Sequence, residues 1–477
     1  MKYYGLFIDG KWRDASRTMA VTNPATGEVI AEVAEAGPGE TRNAIDAAAR
    51  AFPNWAALPA RERAGLMRQV ADRIRMQADL LAEILTAEQG KPLREAKAEV
   101  LMSADYFEWN GEEAKRIYGE TIPASTPNKR LLAIRQPVGV VAAITPWNFP
   151  ASMIARKVSP ALAAGCTVVI KPAESTPLSA LAMGKIFEEV GMPPGVVNIV
   201  VGPPEPIAEE LLNHPVVRKI SFTGSTVVGQ TLMKRAAQGL KKVSLELGGH
   251  APFIVMNDAD LDIAIEGVVA SKFRNAGQTC ICANRLYIEK SIYEEFGERL
   301  ARRIAALKVG VGVDPSVDIG PMINVRAIEK VERQVQDVVT RGGRVVTGGQ
   351  RVAIANAPLG WFYAPTLVTD ISHDALVAQE ETFGPLLGMW AFETDEEVIG
   401  WANNTPYGLA AYLYGRDLGR VVRLYEQLQY GVIGVNDPVP TVVQAPFGGV
   451  KHSGFGREGG HQGLEDYLDW KFVSIGL

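Results

Sequence analysis

Apolar positions change their spacing along the chain. Residues 5–35 hold short apolar runs broken by Asp9-Gly10 and Thr26-Gly27, which predicts short strands and turns. Across Thr41 to Trp55, Ala60 to Glu88 and Leu93 to Arg116, apolar residues recur at helical spacing, and Gly90 and Pro92 separate the last two segments. The many charges on these helices predict a solvated outer face. Tyr118 to Gln136, with Pro123 and Pro127, predicts two extended pieces joined by a polar turn. An exposed strand pair of this kind needs a partner.

A regular alternation follows. Strands are predicted at Val138–Ile144, Cys166–Ile170, Val196–Val200, Val217–Phe222 and Lys242–Leu245. Helices are predicted at Ala151–Ala164, Leu178–Val190, Glu205–Leu212 and Thr226–Ala236. This order predicts an open parallel α/β sheet with ligands at the carboxyl ends of its strands. Asn148, Lys171, Gly224-Ser225 and Glu246 fall at those ends. Cys166, inside a buried strand, is expected to be packing. A second α/β region begins near Gly249, with a strand at Phe253–Val255, a helix leading to Cys280, a strand at Arg285–Ile288 and a helix from Tyr293 to Leu307. Further elements run to about Asn436, and Leu464 to Leu477 is again apolar and extended, as expected of a docking tail.

A length of 477 residues predicts two or three domains. Apolar residues at 47% and charged residues at 22% are globular values. A net charge of −5 argues against a nucleic-acid platform. Three cysteines are too few for a disulfide scaffold and fit a reducing compartment. Met1-Lys2-Tyr3-Tyr4-Gly5 lacks a signal-peptide apolar core, and no run is long enough to span a membrane, so a soluble cytoplasmic protein is expected.

Two cysteines stand two residues apart in Lys272-Phe273-Arg274-Asn275-Ala276-Gly277-Gln278-Thr279-Cys280-Ile281-Cys282. Read alone, Cys280 is either a buried small hydrophobe or a thiol nucleophile held on a loop. Metal chemistry is not expected: there is no second cysteine pair, and His214, His250, His373, His452 and His461 show no ligand spacing. Leu245-Glu246-Leu247-Gly248-Gly249 sets one carboxylate between apolar residues, and Pro146-Trp147-Asn148-Phe149-Pro150 sets an amide on a short loop. Thiol, carboxylate and amide are what aldehyde oxidation through a covalent thiohemiacetal needs. No G-x-G-x-x-G follows the first strand; the only glycine-bearing strand-to-helix turn of the right kind is Phe222-Thr223-Gly224-Ser225-Thr226-Val227-Val228-Gly229.

These segments together resemble the aldehyde dehydrogenase superfamily, in order along nearly the whole chain. The resemblance implies a Rossmann-type NAD-binding domain (1–117 and 139–247), a catalytic domain (248–445), and an oligomerisation arm with a C-terminal tail (118–138 and 455–477). The arm packs on a neighbouring subunit in the family, which implies a homodimer or homotetramer. It implies Cys280 as nucleophile, with a thiol pKa lowered toward about 7 to raise the thiolate fraction. Asn148 and the Cys280 N–H become the oxyanion donors, and Glu246 becomes the base that hydrolyses the thioester. Lys157 and Glu458 then pass protons onward, and Phe447 walls the aldehyde pocket. Cofactor contacts are expected at Ile144, Thr145, Trp147, Lys171, Glu174, Gly224, Ser225, Leu247, Glu381 and Phe383. Glu174 accepts from the adenosine ribose and repels a 2′-phosphate of about −1.5 to −2 charge, so NAD is expected over NADP, which Lys171 still tolerates.

Within the family the resemblance is greatest to succinate-semialdehyde dehydrogenases. Arg156 and Arg274 match positions that clamp a distal carboxylate, a task suited to bidentate guanidinium. Relatives usually place a serine-bearing loop before the Pro-Phe-Gly-Gly motif. Here the stretch reads Asp437-Pro438-Val439-Pro440-Thr441-Val442-Val443-Gln444, with Thr441 as the substitute. Glutarate semialdehyde or sulfolactaldehyde suits the same arginines. A CoA-acylating dehydrogenase is the rival enzyme, and retention of Glu246 favours water as acyl acceptor. Cys282 is either an inert packing thiol or the partner of Cys280 in a reversible disulfide, as in some relatives.

Overall fold

Four of the segments in the strand–helix alternation become the centre of an eight-stranded sheet in the computed structural model, which describes residues 2–477. They are β1 (Val140–Ile144), β2 (Thr167–Lys171), β4 (Val217–Thr223) and β5 (Lys242–Glu246), joined by the short β3 (Val197–Ile199). The five run parallel in the order β5-β4-β1-β2-β3. Every residue of β1 and β2 is buried, because helices cover both faces of the parallel sheet and leave no solvent face for alternation. Leu6–Ile8 extends the sheet antiparallel beside β3, and Gly454–Phe455 closes the other end beside β5.

The chain leaves β1 toward β2 on one side, and β4 returns on the other. The order therefore reverses between β1 and β4, where an open α/β sheet forms a crevice at its carboxyl edge. Helices α2 (Ser152–Ala164) and α3 (Thr226–Ala236) start from that edge. Gly229 lets α3 settle on the sheet, since a Cβ there lies 2.4 Å from Leu247 Cδ2.

A second, seven-stranded sheet carries the other half of the crevice. Its central strands are β6 (Ala251–Val255) and β7 (Ala283–Glu289), linked by α4 (Leu261–Phe273). Each sheet has its own apolar core. A third sheet pairs Glu120–Ile122 with Lys129–Pro137 and Lys129–Pro137 with the tail Leu468–Gly476, all antiparallel. Among the described residues, no helix is long and apolar enough to cross a membrane.

Three expectations are corrected. The run Ala60 to Glu88 is two helices, Ala60–Met76 and Ala78–Gln89, broken at Gln77, whose φ of −107° and ψ of 17° leave helical space. The charges of this region are not all solvated. Glu88, Lys91 and Glu99 are buried, because each finds partners on the central sheet's helices and loops. Cys166 lies one residue ahead of β2, fully buried.

Candidate active site

Helix α4 ends in a turn that no ordinary backbone supplies. Asn275, Ala276 and Gly277 all adopt left-handed φ values of 51°, 55° and 73°. Glycine is required at the third, since a Cβ on Gly277 lies 2.2 Å from the Gly384 carbonyl oxygen. The other two cost on the order of 1 kcal/mol each unless the surroundings enforce them. The surroundings do so at Asn275. Its side-chain oxygen accepts from Gln89 Nε2 at 2.9 Å, its Nδ2 donates to the Asn148 carbonyl at 2.9 Å, and its N–H donates to Glu95 Oε2 at 2.8 Å. The turn delivers Cys280 to the gap between the two sheets.

Cys280 is common to two cavities. One, of about 140 Å³, is walled by Arg156, Arg274, Tyr106, Phe149, Thr441 and Phe447 among others. The second, of about 290 Å³, is walled by Trp147, Asn148, Gly224, Ser225, Leu247, Glu381 and Phe383 together with Lys330. The structure thus brings Cys280, Arg156, Arg274, Thr441 and Phe447 to one cavity, and Cys280, Asn148 and six of the anticipated cofactor residues to the other.

Asn148 is buried on the loop after β1. Its Nδ2 donates to the Gln278 carbonyl at 3.0 Å, which uses one of its two hydrogens. Among the described residues the Cys280 N–H has no backbone acceptor. Burial pushes the Cys280 thiol up to about 12, against the lowering effect of Arg156. This corrects the expectation of a lowered thiol. Lys272 does not serve Cys280; its Nζ turns to Asn284 Oδ1 at 2.9 Å and Cys282 Sγ at 3.7 Å. Cys280 is partly exposed to its cavities, so water there moderates the effect of burial.

Glu246 ends β5 but walls neither cavity. Both its carboxylate oxygens are buried without a hydrogen bond. Burial, reinforced by the charge of Glu458, raises it well above the ordinary carboxylate range, against Arg156 and Lys157. Gly448 makes room for it, as a Cβ there lies 2.8 Å from Glu246 Oε1. Glu458 bonds Lys157, and its Oε2 lies 3.0 Å from Arg156 Nε without the alignment of a hydrogen bond. Burial pushes Glu458 up, yet Lys157 and Arg156 outweigh it and hold it below the usual range.

Arg156 therefore does more than face the cavity. Its guanidinium stacks on Phe447 at 3.9 Å and neighbours Glu458, while Nη2 stays buried and unpartnered. Arg274 lies 5.4 Å from the Phe149 ring and has no carboxylate partner among the described residues. Cys282 lines neither cavity. It points into the core, with Sγ donating to the Gly277 carbonyl at 3.2 Å, and both thiols are free.

In the larger cavity, Trp147 and Phe383 meet edge to face at 5.6 Å. Ser225 caps α3 and accepts from the Val228 N–H at 3.4 Å. Burial raises Glu381 to about 6, against the Gly249 N–H that it accepts at 2.9 Å. Ile144, Thr145, Lys171 and Glu174 lie outside this wall. Register sets Lys171 beside Ile144, and the Thr145 N–H donates to the Lys171 carbonyl at 3.1 Å. Lys171 Nζ bonds Glu174, a pair at the carboxyl end of β2.

Sequence reasoning missed several wall residues. Glu95, Glu99, Met102 and Tyr106 come from α1 (Leu93–Ala114), and Lys330 comes from the helix Val325–Thr340. Helical periodicity located α1 but could not say which face meets the crevice, and the helix that carries Lys330 was not singled out. No group of side chains among the described residues could hold a metal ion.

The chain is 52% identical to the NADP(+) succinate-semialdehyde dehydrogenase of Escherichia coli over 98% of this chain and 97% of that one. It is 51% identical to a glutarate-semialdehyde dehydrogenase of Pseudomonas aeruginosa, over 98% and 97% of the two chains. A crystal structure of betaine aldehyde dehydrogenase from Staphylococcus aureus in complex with NAD+ superposes with a TM-score of 0.97. It shares 35% identity and covers 99% of this chain and 95% of that one. With its family model matching residues 12–473, the chain belongs to the aldehyde dehydrogenase family.

Proposed function

We propose that the protein oxidises a short anionic aldehyde to its carboxylate with NAD, with succinate semialdehyde as the preferred substrate. The observation that carries this reading is the place of Cys280 between two cavities, one of which is walled by the guanidinium groups of Arg274 and Arg156, the latter with an unpartnered Nη2. In this reading the Cys280 sulfur attacks the aldehyde carbon. The free Nδ2 hydrogen of Asn148 and the Cys280 N–H receive the developing oxyanion. Loss of hydride from the thiohemiacetal carbon, for which a bound oxidised nicotinamide would be the acceptor, leaves a thioester, and Glu246 as general base activates the water that hydrolyses it. Lys157 and Glu458, bonded to each other, take the proton onward in this reading.

The larger cavity fits a dinucleotide. Thr223 on its wall has a buried hydroxyl without a partner, and a Cβ on Gly248 would stand 3.0 Å from Glu381 Oε2. The free N–H groups at the start of α3 suit a pyrophosphate. Glu381 suits a ribose, and Trp147 and Phe383 suit a flat ring. When bound, the oxidised nicotinamide supplies the hydride acceptor and a positive charge that favours the thiolate. NAD preference rests on Glu174, which holds Lys171. Glu174→Ser is expected to remove the repulsion and free Lys171 for a 2′-phosphate. The ratio of NADP to NAD efficiency should rise about tenfold or more, or about 1.4 kcal/mol. An unchanged ratio in initial-rate assays removes Glu174 from cofactor choice.

The arginines select the distal acid. Arg274→Glu is expected to raise KM for succinate semialdehyde at least about thirtyfold, since breaking one partner of a desolvated charge pair costs roughly 2–5 kcal/mol. KM for a neutral aldehyde of similar length should move only a few fold. Equal losses on both would sink the clamp. Glutarate semialdehyde is the second reading, favoured by the Pseudomonas relative, and sulfolactaldehyde presents a sulfonate to the same groups. A panel of these aldehydes with NAD and NADP ranks them.

Trp470, Phe472 and Ile475 are exposed on the three-stranded sheet, which supports a homo-oligomer joined there. A cytoplasmic site of action suits three free cysteines.

A further inference from the structure

The loop that carries Asn148 rests on a buried ion pair that none of the reacting groups uses. Lys91 Nζ lies 2.6 Å from Glu99 Oε2, and the two side chains are 0% and 2% exposed. Lys91 Nζ also donates to the Asn148 carbonyl at 2.8 Å and stands 3.8 Å over the Phe149 ring. Glu99 Oε1 accepts the N–H groups of Ala151 at 2.9 Å and Ser152 at 3.1 Å. One charge thus holds the middle of the loop, and its partner holds the start of α2. The same stretch reaches the nucleophile: Gln89 and Glu95 bond Asn275, which donates to the Asn148 carbonyl and stands five residues ahead of Cys280.

We propose that Lys91 and Glu99 are positioning residues for the oxyanion hole, fixing where the Asn148 amide points relative to the Cys280 N–H. This rests on the reading of Asn148 as an oxyanion donor. The physical argument is one of cost. Removing two charges from water is expensive, and well-packed apolar residues in place of a buried pair are often as stable or more so. What apolar residues cannot supply is a set of directed hydrogen bonds to three backbone groups of one loop. A donor misplaced by about 1 Å can lose on the order of a hundredfold in rate.

Lys91→Met alone would strand Glu99 as a lone buried charge, so the double variant Lys91→Met/Glu99→Leu is the main test, with Glu99→Gln beside it. The full-length enzyme is assayed with succinate semialdehyde and NAD. Expected are a kcat lower by about thirtyfold to a hundredfold and alkylation of Cys280 by iodoacetamide within about threefold of the parent, while KM is free to move because Glu99 also walls the smaller cavity. In an Asn148→Ala background the double variant should cost less than about threefold more, because the amide it positions is gone. Circular dichroism melts confirm that the variants fold; should the double variant not fold, Glu99→Gln carries the same cycle. A parental kcat in folded variants, or losses that multiply with that of Asn148→Ala, overturns the positioning role and leaves the Asn148 reading intact. A parental kcat in Asn148→Ala itself overturns both.

Discussion

Replacing Cys280 by alanine is expected to lower steady-state aldehyde oxidation by roughly 10⁴-fold or more, the scale seen when a covalent nucleophile is removed. The expectation follows from position. Cys280 is the only thiol among the described residues that walls both cavities. Cys282 cannot replace it, since its Sγ is turned to the Gly277 carbonyl inside the core. Cys166 lies beside the Tyr467 carbonyl at 3.5 Å on the buried side of the first sheet. The melting temperature should hardly move, because a partly exposed side chain loses little packing. A second readout uses the raised thiol. Burial pushes Cys280 to about 12, so without cofactor its alkylation should still accelerate above about pH 9, where an ordinary thiol near 8.5 levels off. The rate rises with pH because only the thiolate reacts. Turnover within tenfold of the parent in Cys280→Ala would end the covalent mechanism.

Much of this arrangement could be read from residues alone, for identifiable reasons. Strands buried on both faces appear as apolar runs, so β1 and β2 were visible; β4 and β5 mix charged and hydroxyl residues with apolar ones and were read from the strand–helix alternation, and with them the carboxyl edge where Asn148, Gly224 and Glu246 sit. Cys280, Phe447 and the arginines were visible through motif resemblance. Burial of charge was not. Glu99 read as a solvated helix position, and Lys91 as part of the break between two helices, because a local window shows a charge and not the partner that compensates it. The break at Gln77 carries no glycine or proline to announce it. The left-handed pair Asn275 and Ala276 was hidden for the same reason, since the bonds that enforce Asn275 come from Gln89 and Glu95, far along the chain. Strand order placed Glu246 near the crevice, but side-chain direction decides whether it faces a cavity, and β5 turns it behind the wall.

That direction makes Glu246→Gln the most informative substitution after Cys280. The variant is expected to give a first burst of reduced cofactor equal to one turnover, and then to hydrolyse its thioester about 10²- to 10⁴-fold more slowly, the range for loss of a general base. In the parent, hydrolysis should rise with pH through the elevated titration of Glu246, because a base must first lose its proton. The same burial fixes the sign for stability. An unfolded chain releases this proton near about pH 4.3, whereas the fold keeps it to a higher pH. Folding by the parent is therefore favoured fully only below the unfolded value, and this contribution is lost as pH rises toward the folded one. Glutamine never ionises, so the variant should melt at the same or a higher temperature than the parent near neutral pH, with the gap closing as pH falls toward 4. A lower melting temperature at neutral pH would mean that Arg156 and Lys157 hold Glu246 as a stabilising anion. A steady-state rate equal to the parent's would remove Glu246 from thioester hydrolysis and leave its unpartnered, buried carboxylate without a chemical task.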